Sequence, residues 1–179
     1  IEYDGRSIFE EHQISESGNK IKKPIHSDAD LEFFCSLPVE TDEKRLCRDL
    51  DARLPEYQVE KQEFPEEYGA MMLDLGEPIN PLYIGSSLEE YSLWSITKSE
   101  LVKDFLDRNM ERLKIIYKWC LDRDLADVYF LVGTELASPP LVSRDTFNEW
   151  VVPYDKELID LIHGYGKKVI QHYHGQIRD

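Results

Sequence analysis

Two short apolar segments, separated by a stretch of helical pattern, constrain the fold of this chain more than any other feature. Residues 127–133 read DVYFLVG, and Lys168–His172 reads KVIQH. Continuous apolar runs of this length are typical of strands that a parallel sheet buries on both faces. A third apolar run, YGAMMLDL at residues 68–75, is followed by Gly-Glu-Pro and predicts an earlier strand of the same kind.

Amphipathic helices are predicted between these strands. Thr97 and Glu100 fit a capping box, which places a helix start at residue 97. Ser143 predicts the start of a later helix, Pro153 fits the first turn of the next one, and Gly166 follows its end. The helix from residue 97 carries one apolar face, formed by Leu101, Phe105, Met110, Leu113, Ile116, Tyr117, Cys120 and Leu121.

Strand, helix, strand, helix and strand in this order predict right-handed βαβ units in a parallel sheet. Such a sheet belongs either to a TIM (β/α)₈ barrel or to a small doubly wound domain. A doubly wound nucleotide-binding domain would usually carry a glycine-rich loop after its first strand, and the sequence shows none. The pattern alone leaves both architectures open.

Residues 1–67 predict a β-hairpin region and short helices. Alternation around residues 17–19 indicates a hairpin. Short helices are predicted from residue 27 to residue 38 and over about residues 42–53, and the polar, proline-interrupted stretch 54–67 predicts a loop or an edge segment. The hairpin arms are expected to include Ile8, His12 and Ile14 on one side and Ile21 and Ile25 on the other.

Charge and composition exclude several classes of partner. The net charge of −15 argues against a nucleic acid or an anionic membrane, because both would repel the chain. No apolar run approaches the ~18 residues of a membrane span. Cys35, Cys47 and Cys120 are too few and too scattered for a disulfide framework. With no signal peptide visible, the chain is predicted to be cytoplasmic.

Polar residues directly follow each predicted strand, where parallel α/β folds place their functional groups. Glu77 is expected to be a solvated loop carboxylate. Glu135 precedes the stiff segment Ala-Ser-Pro-Pro and is a candidate catalytic carboxylate, with a solvated loop residue as the alternative.

The sharpest local feature is the pair His172 and His174. Because a strand has a period of two, both side chains should project from one face and could reach one metal ion. Two ligands still require a third, and the cysteines are poor candidates. The alternative is a pair that hydrogen-bonds or acts as acid and base.

Residues 138–175 resemble the middle of uroporphyrinogen decarboxylase superfamily proteins, with Ser143, Phe147, a Pro153-Tyr154 pair and Gly166 at the expected places. Residues 75–85 (LGEPINPLYIG) resemble the Gly-x-Pro segment of the same superfamily. The resemblance implies a barrel. Residues 1–179 would then form one domain, with residues 68–179 supplying βα units of a partial (β/α)₈ barrel.

One branch of this superfamily, the corrinoid-dependent methyltransferases, holds zinc through His-x-Cys-Gly at the corresponding strand and a later Cys. Here the motif is HYHG at residues 172–175, so that His174 stands in place of the Cys. The resemblance implies zinc bound by His172 and His174, a corrinoid or a corrinoid protein as methyl carrier, and a small-molecule substrate. Tyr83 and Ser138 lie near the positions of the decarboxylases' active-site Tyr and Ser, and are expected to contact that substrate.

Two alternatives remain. The first is a metal-free tetrapyrrole carboxylate decarboxylase, which would need a positively charged inner lining. The second is an inactive, truncated module. Since the sequence starts without Met and stops just after a predicted strand, we expect an internal piece of a longer protein. Such a piece would supply about three of eight barrel strands and would tend to form homo-oligomers through its exposed strand edges.

Overall fold

A computed structural model of the chain describes residues 1–15, 18–63, 65, 67 and 69–174, apart from the side chains of residues 15, 19 and 135. The fold is mixed α/β, as predicted. Its strands are β1 (Glu2–Tyr3), β2 (Arg6–Ser7), β3 (Glu11–Ser15), β4 (Gly18–Lys22), β5 (Met72–Leu73), β6 (Val128–Val132) and β7 (Lys168–His172). Its helices are α1 (Asp28–Ser36), α2 (Glu43–Asp51), α3 (Leu54–Glu63), α4 (Asn80–Gly85), α5 (Leu88–Thr97), α6 (Ser99–Asp122), α7 (Arg144–Trp150) and α8 (Val152–Gly164), and a 3₁₀ turn spans Thr134–Ala137.

The three C-terminal strands form a parallel sheet in the order β5-β6-β7. The predicted strands at 127–133 and Lys168–His172 are confirmed. The predicted strand at 68–75 is wrong in length, because only Met72–Leu73 pairs with β6 and Tyr68 lies outside the described residues. The carboxylate of Asp74 accepts a hydrogen bond from the Gly76 amide at 2.9 Å, which turns the chain out of the sheet directly after β5.

Both crossover helices of the sheet lie on one of its faces. The ring of Tyr117 on α6 packs 5.9 Å from that of Tyr129 on β6. On β7, Gln171 faces the same side as Tyr129, since the register pairs Leu131 with Gln171, and it donates a hydrogen bond to Asp155 on α8. Helices α6 and α8 also contact each other. Three parallel strands with their crossover helices on one side fit part of a barrel and equally one half of a doubly wound sheet.

The opposite face of this sheet is apolar and partly open. Met72 and Ile170, on the two outer strands, are 50% and 49% exposed, and Phe130 between them is half-buried. Strands of parallel sheets are ordinarily covered on both faces. The exposed apolar side chains of this face are therefore typical of a surface that is covered by other strands or helices.

The predicted N-terminal hairpin is present but shorter than expected. Its pairing runs from Glu11↔Lys22 to Ser15↔Gly18, and residues 16–17 of the turn lie outside the described residues. The prediction was wrong for Ile8, whose amide donates to the Ile1 carbonyl, and for Ile25, which bridges to Ser86. Pro24 has no N–H to continue the ladder, so the pairing ends before it.

The prediction of a loop at residues 54–67 was wrong, because Leu54–Glu63 is a helix (α3). Pro55 lies in its first turn, where the missing N–H costs nothing. Tyr57 packs edge-on against Trp119 of α6, with the ring centroids 6.3 Å apart. This tertiary contact stabilises a segment whose own sequence shows no apolar periodicity.

The capping box was also misplaced. Thr97 is the last residue of α5, and α6 begins at Ser99 without a side-chain cap. The true capping box is ten residues earlier, where Ser87 and Glu90 cap α5 reciprocally. Helices α4 and α5 were not predicted. The other predicted helices are confirmed, with Ser27, Asp42 and Ser143 as their N-caps. None of the helices in the described part of the chain is long and apolar enough to cross a membrane.

Candidate functional site

Polar side chains converge where β5, β6 and β7 end. The loop after β5 contributes Glu77, the turn after β6 begins at Thr134, and β7 leads into Tyr173 and His174. The first turn of α8 adds Asp155 from behind the sheet. Sequence analysis singled out this edge, but it identified only some of the residues that the structure brings together there.

Glu77 is 1% exposed, so the expectation of a solvated carboxylate was wrong. It accepts a hydrogen bond from the Thr134 amide at 3.2 Å, and the Thr134 hydroxyl lies 3.5 Å from its other oxygen. Two side chains of α6 hold its loop: Asn109 donates to the Pro78 carbonyl at 2.8 Å, and Tyr117 donates to the Gly76 carbonyl at 2.9 Å. These bonds fold the Gly-Glu-Pro segment inward.

A second buried carboxylate, Asp155, lies between α8 and the end of β7. Its Oδ2 accepts hydrogen bonds from the Tyr173 hydroxyl at 2.6 Å and from the Gln171 amide. Burial raises the pKa of Asp155 to about 6, against the opposing effect of hydrogen bonds from Tyr173, Gln171 and Thr134. Among the described residues, its Oδ1 has no hydrogen-bond partner. With this pKa, the charged and neutral forms of Asp155 are equally populated near pH 6.

The sequence held a signal for Asp155 that pattern reading missed. Val151, Asp155, Leu158 and Ile162 follow one another at helical spacing, and all four are buried. A carboxylate inside an apolar stripe is rare unless it has partners. The partners, Gln171 and Tyr173, come from the next strand and could not be deduced from α8 alone.

His172 and His174 lie side by side on the opposite face of β7 from Gln171 and Tyr173. Their Nε2 atoms are 2.6 Å apart and form a hydrogen bond in which one imidazole donates and the other accepts. The ring of Phe130 on β6 lies 6.0 Å from that of His172. The pair thus belongs to the open apolar face of the sheet, at its carboxyl edge.

This geometry fits two ligands of a tetrahedral zinc site. Nitrogen ligands at about 2.0–2.1 Å from zinc lie roughly 3.3 Å from each other, so a small rotation of the rings would admit the ion. Within the described residues no group of three or more His, Cys, Asp or Glu side chains is arranged to hold a metal. Burial raises the pKa of the Cys35 and Cys120 thiols to about 12, which disfavours both as thiolate ligands.

The other predicted site residues lie around the end of β6. Helix α4 crosses this end: Asn80 donates to the Val132 carbonyl at 3.3 Å, and the Tyr83 hydroxyl lies against Gly133. Ser138 is buried, directly after the 3₁₀ turn. The backbone of Glu135 is part of that turn, and its side chain lies outside the described residues.

Gly133 is the point of closest approach between α4 and β6, and we expect Gly133→Ala to destabilise the protein by about 3 kcal/mol or more. Its φ of +119° disfavours any other residue, and an added Cβ would overlap the Tyr83 hydroxyl and Asn80. Urea unfolding would measure the loss. Gly164→Ala is the matched control, since its Cβ would meet nothing within 4 Å. Equal stability of both variants would contradict this account.

A cavity of about 380 Å³ lies away from this edge, between the N-terminal hairpin and the start of α5. Lys20, Lys22 and Lys23 line it together with Glu90, and Lys22 and Lys23 pair with Glu11 and Glu10 at 3.6 and 3.5 Å. Since two of the three lysines are paired and a carboxylate also lines the cavity, its charge gives little indication of an anionic ligand. The strand ends therefore remain the candidate site.

Comparison of the chain with protein families, with characterised proteins and with solved structures found no match.

Proposed function

We propose that this chain forms part of a (β/α)₈ barrel enzyme of the uroporphyrinogen decarboxylase superfamily, with its active site at the carboxyl ends of β5, β6 and β7. Two features support the barrel. The strands are adjacent in sequence order and parallel, and the crossover helices α6 and α8 share one face of the sheet. In a barrel, the open apolar face would line the interior and pack against the remaining strands.

The reaction we propose is transfer of a methyl group between a corrinoid and a small molecule or thiol. The observation that carries this proposal is the His172–His174 pair, at the carboxyl end of a strand and on the face that a barrel would turn inward. Both imidazoles would bind zinc, which would act as a Lewis acid on the methyl acceptor or donor. His174 in place of a Cys makes the site less anionic, so a thiol acceptor would be activated less strongly.

The neighbouring groups take supporting roles in this proposal. Glu135 would present a carboxylate at the barrel mouth, and Tyr83 and Ser138 would contact the substrate. The described residues that directly follow the three strands, 74–78, 133–135 and 173–174, include no Arg or Lys. The several carboxylates of a porphyrinogen would need such cations, so this setting favours methyl transfer over decarboxylation.

The decisive experiment is an activity assay on zinc-loaded protein in which the rest of the proposed barrel is present, because this chain alone is expected to be inactive. We expect methylcobalamin to be demethylated in the presence of a suitable acceptor, and the change in corrinoid absorbance would measure the rate. The rate should fall when a chelator removes the zinc. Screening thiols, amines and phenols as acceptors would identify the acceptor. Absence of transfer, together with measurable decarboxylation of a porphyrinogen, would assign the protein to the decarboxylases instead.

A further inference from the structure

The carboxyl end of β7 extends beyond its pairing with β6. The ladder between the two strands ends at Val132↔His172, so Tyr173 and His174 have no ladder partner on β6. A strand end without backbone pairing is free to move unless side chains hold it. On the face of β7 that carries the histidines, His172 is the last residue in the ladder, and His174 lies two residues beyond it.

Side chains on the far face of β7 supply that restraint. Gln171 and Tyr173 both donate hydrogen bonds to Oδ2 of Asp155, and Gln171 also donates to the Tyr173 hydroxyl at 2.9 Å. Because side chains alternate along a strand, Gln171 and Tyr173 lie on the face of β7 opposite to His172 and His174. Asp155 itself lies in the first turn of α8, which is packed against α6 and α7. The far-face contacts thus connect the histidine-bearing strand end to the helical layer.

We infer that Asp155 is a positioning residue, which holds the end of β7 so that the imidazoles of His172 and His174 point at one place. This inference rests on the proposed metal-binding role of the pair. Asp155 is 4% exposed and lies on the helix side of the sheet, so it acts through Tyr173 and Gln171 and not on a ligand directly. Groups that hydrogen-bond directly to metal ligands change metal affinity by about 10–100-fold when they are removed, and Asp155 acts one contact further away, so its effect is expected at the lower end of this range.

The test is zinc affinity, measured by competition with a chromophoric chelator, in Asp155→Ala and Tyr173→Phe. We expect each variant to bind zinc about 10-fold more weakly than wild type. Asp155→Asn should retain most of the affinity, because its amide oxygen still accepts from Tyr173. Asp160→Ala is the control: it removes an exposed acid of the same helix, which forms an ion pair with Lys156 and has no contact with the end of β7 among the described residues.

A second readout separates this inference from the metal proposal. Amide hydrogen exchange at residues 171–174, without zinc, should be faster in Asp155→Ala and Tyr173→Phe than in wild type. If wild type binds no zinc, the proposed function fails, and exchange alone decides whether Asp155 holds the strand end. If both variants match wild type in affinity and in exchange, the inference is wrong. Tyr173→Phe keeps the ring that packs against Phe147, so it remains informative should Asp155→Ala not fold.

Discussion

Wild-type protein is expected to lose about 2 kcal/mol of folding free energy between pH 4 and pH 7 through Asp155 alone, and Asp155→Asn is expected to abolish this loss. The pKa of this carboxyl rises from its ordinary value of 3.8 to about 6 on folding, chiefly through burial. The folded protein therefore binds a proton more tightly than the unfolded chain does. The contribution of Asp155 to folding stability is greatest below its pKa in the unfolded chain, and it is lost as the pH rises through its pKa in the folded protein.

Hydrogen bonds from Tyr173, Gln171 and Thr134 oppose the rise of the Asp155 pKa, but burial outweighs them. Glu77 from the loop after β5 is a second carboxylate nearby, and Tyr117 of α6 and Tyr173 of β7 are phenols whose pKa values burial raises. Electrostatic interaction with Asp155 raises the pKa of both phenols further, so neither ionises in this range. The two phenols therefore add nothing to the pH dependence that Asp155 is expected to produce in this range.

The measurement is a series of urea unfolding curves from pH 4 to pH 8 for wild type and Asp155→Asn. The chain carries 36 acidic residues, and subtracting the two series removes the contributions that all the others share. We expect the variant to become the more stable protein above about pH 6, an unusual result for a buried polar substitution. Asp160→Asn, at an exposed position on the same helix, should follow wild type. Parallel curves for wild type and Asp155→Asn would show that Asp155 has an ordinary pKa.

The regular part of the fold was predictable because its sequence signals are local. Residues 128–132 form a short apolar run, and α6 repeats its apolar residues over 24 positions, so each identifies its own structure. The predictions were wrong where contacts with distant parts of the chain determine the local structure. Helix α3 has no apolar face of its own and packs through Tyr57 on Trp119, and β5 ends where Asp74 turns the chain.

The candidate site was likewise predictable from the sequence only in part. The shared face of His172 and His174 follows from the two-residue period of one strand, which a single segment reveals. Burial of Glu77 depends on Asn109 and Tyr117, more than 30 positions away in the chain, and the setting of Asp155 depends on a strand 16 residues further on. Long-range hydrogen bonds of this kind leave no periodic signal, so the carboxylates behind the histidines were missed.

The largest functional effect is expected for His172→Ala and His174→Ala. Each should lower zinc affinity by more than about 100-fold, beyond the effect of removing an orienting group, because a direct ligand is lost. Their Nε2 atoms are 2.6 Å apart, so one ion reaches both. Affinity should also fall on acidification, because a protonated imidazole has no lone pair for a metal. Metal content after dialysis and competition with a chelator would measure both effects.

His163→Ala is the control for these variants, since it removes an exposed histidine at the end of α8 and should bind zinc as wild type does. Loss of metal from His172→Ala alone would show that His174 does not replace the cysteine of the related motif. If wild type has no affinity for zinc, His172 and His174 are not metal ligands but two imidazoles that share a hydrogen bond at the carboxyl end of β7. The reaction would then have to use them as acid and base, and the dependence of its rate on zinc would disappear.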